Sequence, residues 1–240
     1  MNFHYENQKL KQGYKFIIGC DEVGRGCLAG PVVAAAVALP RVESLKWKVE
    51  SFKEIKDSKL LSPQKREELS VIIKENFLWS IAEVSSNVVD DINIHNASLL
   101  AMKKAVDILL VTFPGVILSP NASEGEESLN SKKRSFVAIA PQDDALSKVF
   151  VAVDGKFIVP GLKIAQQAVI DGDAKILSIA AASVIAKVYR DNLMRRLHQK
   201  YPIYNFAQHK GYATLHHRKM IIRNGLSPLH RQSFCQNLTI

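Results

Sequence analysis

Two carboxylates stand side by side at the end of an apolar run and lead straight into a glycine-bracketed arginine: Asp21-Glu22-Val23-Gly24-Arg25-Gly26. Acids in such a place repel a phosphate unless a cation lies between them and it. Gly24 and Gly26 let the backbone come close to a ligand. The combination asks for a divalent metal and a phosphate together. Two further acids extend the pattern. Asp154-Gly155 closes a later apolar run, and Asp173 precedes a long helical one. In open α/β sheets chemistry gathers at one end of the strands and at adjoining helix starts, so four acids from separate segments can converge. Together they repel one another and raise each other's pKa values. Two hard cations relieve that strain. Mg²⁺ takes carboxylate oxygen and keeps waters and substrate phosphates as its other ligands. Two such ions about 4 Å apart activate a water and stabilise the leaving oxygen in phosphodiester cleavage. Taken singly, Asp154 fits a turn and Asp173 a helix cap. The Asp21-Glu22 pair resists such a reading, because only one of two neighbours can follow a strand's buried face.

The elements that must position these acids are legible in outline. Phe16 to Cys20 reads as a buried strand, and Pro31 to Leu39 as a second, ended by Pro40. Ser62-Pro63 marks a helix start, with the helix running from Gln64 to Asn76. Phe77 to Val84 reads as a strand, and a helix is predicted from about Asn96 to Val111. Lys148 to Val153 and Gln166 to Ile170 read as strands ending at Asp154-Gly155 and Asp171-Gly172-Asp173. Leu177 to Lys200 is strongly helical and opens with Ala180, Ala181, Ala182 and Ser183, small residues that allow a close helix–sheet approach. The stretch 119–147 is polar in its first part and reads as a surface excursion.

Composition narrows the function class. At 240 residues, 47% hydrophobic and 23% charged, the chain fits a soluble globular protein with one core, or one domain and a small appendage. No apolar run reaches the length of about 18 residues that a membrane span needs. The start, Met1 to Lys15, does not read as a signal peptide. Cys20, Cys27 and Cys235 have neither metal-knuckle nor disulfide spacing, so a reducing, cytoplasmic location is expected. The net charge of +9 is unevenly spread. Residues 1–150 balance 19 basic against 19 acidic side chains, whereas residues 151–240 hold 13 against 4 and five of the seven histidines. A basic C-terminal region favours a polyanion partner over a merely solvated surface. A dinucleotide fold is disfavoured: Gly24-x-Gly26 is followed by Gly30, and the next segment reads as a strand.

More specific signatures run in order from about Ile17 to Phe234. They are Gly19-Cys20-Asp21-Glu22-Val23-Gly24-Arg25-Gly26, Leu28-Ala29-Gly30-Pro31-Val32-Val33, Asp57-Ser58-Lys59, and Asp90 with Asn93-Ile94. Asp154-Gly155, Gly172-Asp173, Ser178 to Ser183 and Ala186-Lys187-Val188 follow. Tyr201-Pro202, His209-Lys210-Gly211-Tyr212 and His230-Arg231-x-Ser233-Phe234 complete the series. In this the chain resembles ribonuclease HII, the type 2 ribonucleases H. The sister family, ribonuclease HIII, is less similar: it has a lysine where Arg25 stands and an extra N-terminal domain.

The resemblance implies an α/β, ribonuclease H-like fold: a mixed five-stranded sheet whose first three strands are antiparallel, with helices on both faces. Residues 1–192 form the catalytic domain, with a polar insertion at about 119–147. Residues 193–240 form a basic helical region completing the substrate cleft. The implied activity is metal-dependent endonucleolytic hydrolysis of the RNA strand of RNA–DNA hybrids, and nicking of duplex DNA 5′ of embedded ribonucleotides. The products carry a 3′-hydroxyl and a 5′-phosphate. By the same resemblance Asp21, Glu22, Asp154 and Asp173 bind two Mg²⁺ or Mn²⁺ ions, and Asp21 touches both. Gly24, Arg25 and Gly26 sense the 2′-hydroxyl and its phosphate. Tyr212 stacks on the sugar at the RNA–DNA junction, and Lys59, Ser183, Lys187 and Lys210 contact phosphates. Asp171 adds a negative charge beside the quartet, and register favours Asp173 as the ligand. The expected form is a monomer. The tail Gln236 to Ile240 is faintly similar to sliding-clamp-binding peptides, although a frayed terminus explains it as well. Two alternatives remain on this fold: another metal-dependent nuclease, and a nucleic-acid-binding module without catalysis.

Overall fold

The computed structural model of the chain describes residues 3–39, 52, 54–55, 58–112 and 146–238. Asp57, all but the last two residues of the 119–147 insertion, and Thr239-Ile240 lie outside the described residues. The elements in chain order are α1 (His4–Lys11), β1 (Phe16–Val23), β2 (Val32–Leu39), α2 (Pro63–Asn76), β3 (Leu78–Val84) and α3 (Ser86–Thr112). After these come β4 (Val149–Asp154), β5 (Ala165–Val169), α4 (Gly172–Lys175), α5 (Leu177–Lys200), α6 (Phe206–His209), α7 (Leu215–Asn224) and α8 (Gln232–Cys235).

The five strands form one mixed sheet in the order β3-β2-β1-β4-β5. β1, β2 and β3 pair antiparallel, while β4 and β5 continue parallel to β1. β2 is buried along its whole length because helices cover both faces of the sheet. On one face, Ile18, Cys20, Ala34 and Val151 pack against Ala97, Ala101 and Ala105 of α3. On the other, Val33, Ala35 and Val37 pack against Leu69 and Ile73 of α2 and Ala181 and Ile185 of α5. A third cluster joins Leu28, Met194, Phe206, Ile221 and Cys235, tying the C-terminal helices to the segment after β1.

Three boundaries differ from the pattern-based expectation. β1 continues to Val23, because Asp21, Glu22 and Val23 still pair with Ala35, Ala34 and Val33. The two acids therefore sit inside the strand rather than beyond it. α3 begins ten residues before Asn96, with one interruption at Asn93 (φ 65°, ψ 164°). Asn93 Oδ1 caps the restart by accepting from Asn96 N at 3.1 Å. The N-terminal residues form α1, whose buried Glu6 accepts at 2.9 Å from the backbone N–H of Ser178. α5 has no capping side chain of its own at that end, so the carboxylate of Glu6 does the work from a distance.

The close seating of α5 depends on Gly19. A Cβ there would lie 2.1 Å from the backbone carbon of Ser178. Gly19→Ala is expected to push α5 off the sheet and to cost about 1–3 kcal/mol or more. A lowered urea midpoint at constant m-value checks this; an unchanged midpoint would show that the helix is not seated on β1.

Candidate active site

Strand alternation and the parallel β1–β4 pairing bring the first two acids together. Ile17 pairs with Phe150 and Gly19 with Ala152, all on the α5 side of the sheet. Two residues further along each strand, Asp21 and Asp154 occupy the next rung on that side, on strands about 4.8 Å apart. Asp21 is buried and Glu22 half-buried, as expected for neighbours on opposite faces. Asp154 Oδ1 accepts from Gly172 N at 2.8 Å and Asp173 N at 3.3 Å, which locks the start of α4 onto the end of β4. Asp173 is thereby delivered to the same place, and it too is buried.

The electrostatics follow from this crowding. Burial, and then the charges of Glu22 and Asp154, push the Asp21 carboxyl well above the usual range; Asp173 adds to the same effect. Burial, followed by Asp173, also raises Asp154. Against this, Asp21 accepts from Glu22 N at 2.7 Å and from the Ser183 hydroxyl. Among the described residues, cationic side chains pair with the outer members: Arg25 Nη1 lies 2.9 Å from Glu22 Oε1, and Lys59 Nζ 3.1 Å from Asp173 Oδ2. Among the described residues no three acid, histidine or cysteine side chains are drawn into a ready ligand set. The four acids share a field, and among the described residues no cationic side chain pairs with the buried Asp21 carboxyl at its centre. The donor set is all carboxylate oxygen, which suits a hard divalent ion.

The family model described as Ribonuclease HII matches residues 18–237. The chain belongs to the ribonuclease HII family. The ribonuclease HII of Alkaliphilus metalliredigens (strain QYMF) is 41% identical over 234 residues, covering 97% of this chain and 96% of that one. Two solved structures share the fold. One is the PCNA:RNase HII complex from Archaeoglobus fulgidus, with 23% identity, a TM-score of 0.62, and 92% and 96% of the two chains covered. The other is Bst-RNase HIII in complex with Mn²⁺, with 16% identity, a TM-score of 0.64, and 96% and 71% covered. The chain is thus a ribonuclease H, from the family that cleaves RNA in RNA–DNA hybrids.

The other residues that the ribonuclease HII resemblance implicates lie on the segment after β1, on α5 and at 210–212. Gly24, Arg25 and Gly26 follow β1 directly, and Gly26 has open space where a Cβ would point. Tyr212 bridges to Cys27 through its backbone and is 40% exposed as a residue, with Lys187 Nζ 5.7 Å from the ring centroid. Ser183 is buried and bonds Ser58 Oγ at 2.9 Å, so it stands behind Asp21. Lys187 pairs with Asp191 at 2.8 Å, and Lys210 donates to the Ala207 carbonyl. Asp171 adopts a left-handed conformation (φ 54°) and lies 3.9 Å from Lys175 at the surface, while its neighbour Asp173 turns inward. No helix among the described residues is long and apolar enough to cross a membrane.

Sequence reasoning gave no role to two fully buried arginines. Arg190 donates to the carbonyls of Pro31 (3.0 Å), Ala29 (3.1 Å) and Lys210 (2.8 Å). Arg231 donates to those of Gly24 (2.7 Å), Arg25 (2.8 Å) and Gly30 (2.9 Å). A signal for Arg190 existed: it stands midway between Ala186 and Met194, at helical spacing on the apolar face of α5.

Three buried histidines support Tyr212 from below. Ser227 N–H donates to His230 Nδ1 at 2.9 Å, so the proton of neutral His230 is on Nε2. That proton goes to His217 Nε2 at 3.0 Å, and His217 Nδ1–H donates to the Tyr212 carbonyl at 2.9 Å. His209 takes Gly211 N–H at 3.2 Å and donates to Tyr204 O at 2.6 Å. Every ring nitrogen is committed in the neutral form. Burial, with His209 and His230 facing it, lowers His217 to about 4, and burial, with His209, lowers His230 to about 4. Because these values lie below the ordinary 6.5, the unfolded chain binds more protons than the folded one between pH 6.5 and 4. Stability is therefore expected to be full above about pH 6.5 and to fall as the pH drops toward 4. His230→Gln should remove roughly one proton's worth of that slope. Thermal midpoints across this range check it, and a flat profile in the parent protein would contradict buried neutral histidines.

Proposed function

We propose that this ribonuclease H is a divalent-metal-dependent endonuclease that cuts the RNA strand of RNA–DNA hybrids and nicks duplex DNA on the 5′ side of embedded ribonucleotides. The observation carrying this reading is the buried Asp21 carboxyl, raised by burial and by Glu22 and Asp154, at the foot of an open glycine loop. Asp21, Glu22, Asp154 and Asp173 would hold Mg²⁺ or Mn²⁺, which supplies an activated water and charge stabilisation at the departing 3′-oxygen. Ser183 and the Glu22 N–H orient Asp21, while Gly172 N–H and Asp173 N–H orient Asp154. Arg25 and Lys59 are within reach of phosphate once they leave Glu22 and Asp173.

Selectivity for a ribonucleotide needs a group that feels the 2′-hydroxyl, since that atom separates RNA from DNA. The loop Gly24-Arg25-Gly26 presents backbone there without a side chain at Gly26, and the exposed Tyr212 ring offers a stacking surface for a sugar. The basic side chains of α5 and α7, among them Lys187, Arg195, Arg218 and Arg223, together with Lys210, supply the track for the phosphate backbone. The relative from Archaeoglobus fulgidus was solved with PCNA, so a sliding clamp is the protein partner to test first.

A duplex carrying one ribonucleotide, with the cut mapped with and without Mg²⁺ or Mn²⁺, tests the whole proposal. Absence of a 5′-side nick, or a nick that needs no metal, would refute it. Asp21→Asn is expected to lower turnover by roughly a thousandfold or more. The same change should raise the thermal midpoint in metal-free buffer, because it removes a charge that the fold disfavours. Gly26→Ala separates substrate from scaffold. No atom of the described residues lies within 4 Å of the new Cβ, so stability should stay within about 1 kcal/mol while nicking at a lone ribonucleotide falls. Full activity in Gly26→Ala would mean that the substrate never approaches this loop closely.

A further inference from the structure

We infer that Arg231 is a positioning residue for ribonucleotide recognition: by drawing the Gly24 and Arg25 carbonyls inward, its guanidinium turns the Arg25 and Gly26 N–H groups out into the cleft. The inference rests on the reading of Gly24-Arg25-Gly26 as the loop that meets the ribonucleotide.

The geometry of the trans peptide carries the argument. Within one peptide unit the C=O of a residue and the N–H of the next point in opposite directions. Arg231 Nη2 holds the Gly24 oxygen at 2.7 Å and Nη1 holds the Arg25 oxygen at 2.8 Å, both from inside the protein. The N–H groups of Arg25 and Gly26 must then face outward. Among the described residues neither has a hydrogen-bond acceptor, so both are ready for a ligand oxygen. The outer side of Gly26 is open space. A third anchor, Gly30 O, takes Nη2 at 2.9 Å and Nε at 3.2 Å and closes the loop around one guanidinium.

Arg231 is an expensive way to fill a core. It is 0% exposed and makes no salt bridge among the described residues. Burial draws it down to about 10, yet it stays cationic at neutral pH. A well-packed apolar side chain would cost less in folding free energy. What an apolar residue cannot do is hold three backbone carbonyls in fixed directions. The arginine is itself anchored from behind. Asp90 accepts from Gln232 N at 2.8 Å and Ser233 N at 3.0 Å, and it also binds the Ser233 hydroxyl. Arg231 N donates to Leu28 O at 2.8 Å, and Phe234 lies against the guanidinium at 5.3 Å. The same segment reaches Tyr212 through His230 and His217, so one short stretch of chain sets both candidate recognition elements.

The test compares Arg231→Gln and Arg231→Lys with the parent protein on a duplex holding one ribonucleotide. Folding is followed by circular dichroism and thermal midpoint. Misplaced loop donors should lower kcat by about a hundredfold in Arg231→Gln. KM should move by less than about threefold, because the phosphate track is intact. Lysine, able to reach at least one carbonyl, should recover part of the lost kcat. A folded Arg231→Gln with parental kcat overturns the inference, as does a loss confined to KM. If Arg231→Gln does not fold, Asp90→Asn takes its place. It loosens the anchor and leaves the guanidinium, and should lower kcat by about tenfold at unchanged KM. Parental kcat in Asp90→Asn then overturns the inference. Failure of the underlying reading looks different: the parent protein would not nick at a lone ribonucleotide, or Gly26→Ala would be silent. A sensitive Gly26→Ala with a silent Arg231→Gln removes only the positioning role.

Discussion

The parallel pairing of β1 with β4 is the constraint on which the rest depends. It sets Asp21 and Asp154 on neighbouring rungs of one sheet face, closer than two like charges would choose. Burial under α5 makes that proximity costlier, as the raised carboxyls of Asp21 and Asp154 show. The rest of the centre manages this cost. Ser183 and a backbone N–H bond Asp21, two N–H groups of α4 bond Asp154, and Arg25 and Lys59 lean on Glu22 and Asp173. The result is a cluster of carboxylates held rigid by neutral donors, as the proposed divalent-cation site requires.

A second layer of the structure fixes backbone rather than side chains. The segment Cys27 to Gly30 is clasped between Gly211-Tyr212 on one side and Leu229 to Arg231 on the other. Arg190 and Arg231 knit those three pieces together by binding carbonyls alone. Gly211 has to be glycine for this, because a Cβ there would sit 2.3 Å from Ala29 O. Chain separated by about 200 residues is thereby joined into one surface. The acidic centre lies on the sheet, whereas the Gly24-Arg25-Gly26 loop is held by Arg231 at the start of α8. Neither part is complete without α5, which carries Ser183 for the first and Arg190 for the second.

Much of this was open to reading from sequence. The apolar runs located all five strands, the Ser62-Pro63 pair located α2, and Leu177 and Lys200 bounded α5 as the pattern indicated. Local patterning failed where distant partners decide the outcome. The strand reading stopped at Cys20 because acids weaken a strand pattern, yet Ala34 and Ala35 across the ladder carry β1 past them. The start of α3 was missed because the helical spacing was read only from Asn96 onward, whereas the helix begins at Ser86 and crosses Asn93; Asn93 caps the restart, and Asp90 caps α8 from across the chain. Glu6 looked like one charge in a polar terminus, and its work at the start of α5 lies 172 residues away.

The sequence by itself determined the kind of chemistry. Four acids, a glycine-bracketed arginine and a basic C-terminal third point to the proposed metal and a polyanion without any fold, because residue types set charge and donor atoms. The tertiary structure alone decided which groups share a field and which way each peptide faces. It turned Asp171 outward and Asp173 inward, placed Ser183 behind Asp21, kept three histidines neutral, and buried Arg231 against the loop after β1. Those outcomes depend on solvent exclusion and on partners far away in the chain. No local pattern encodes either.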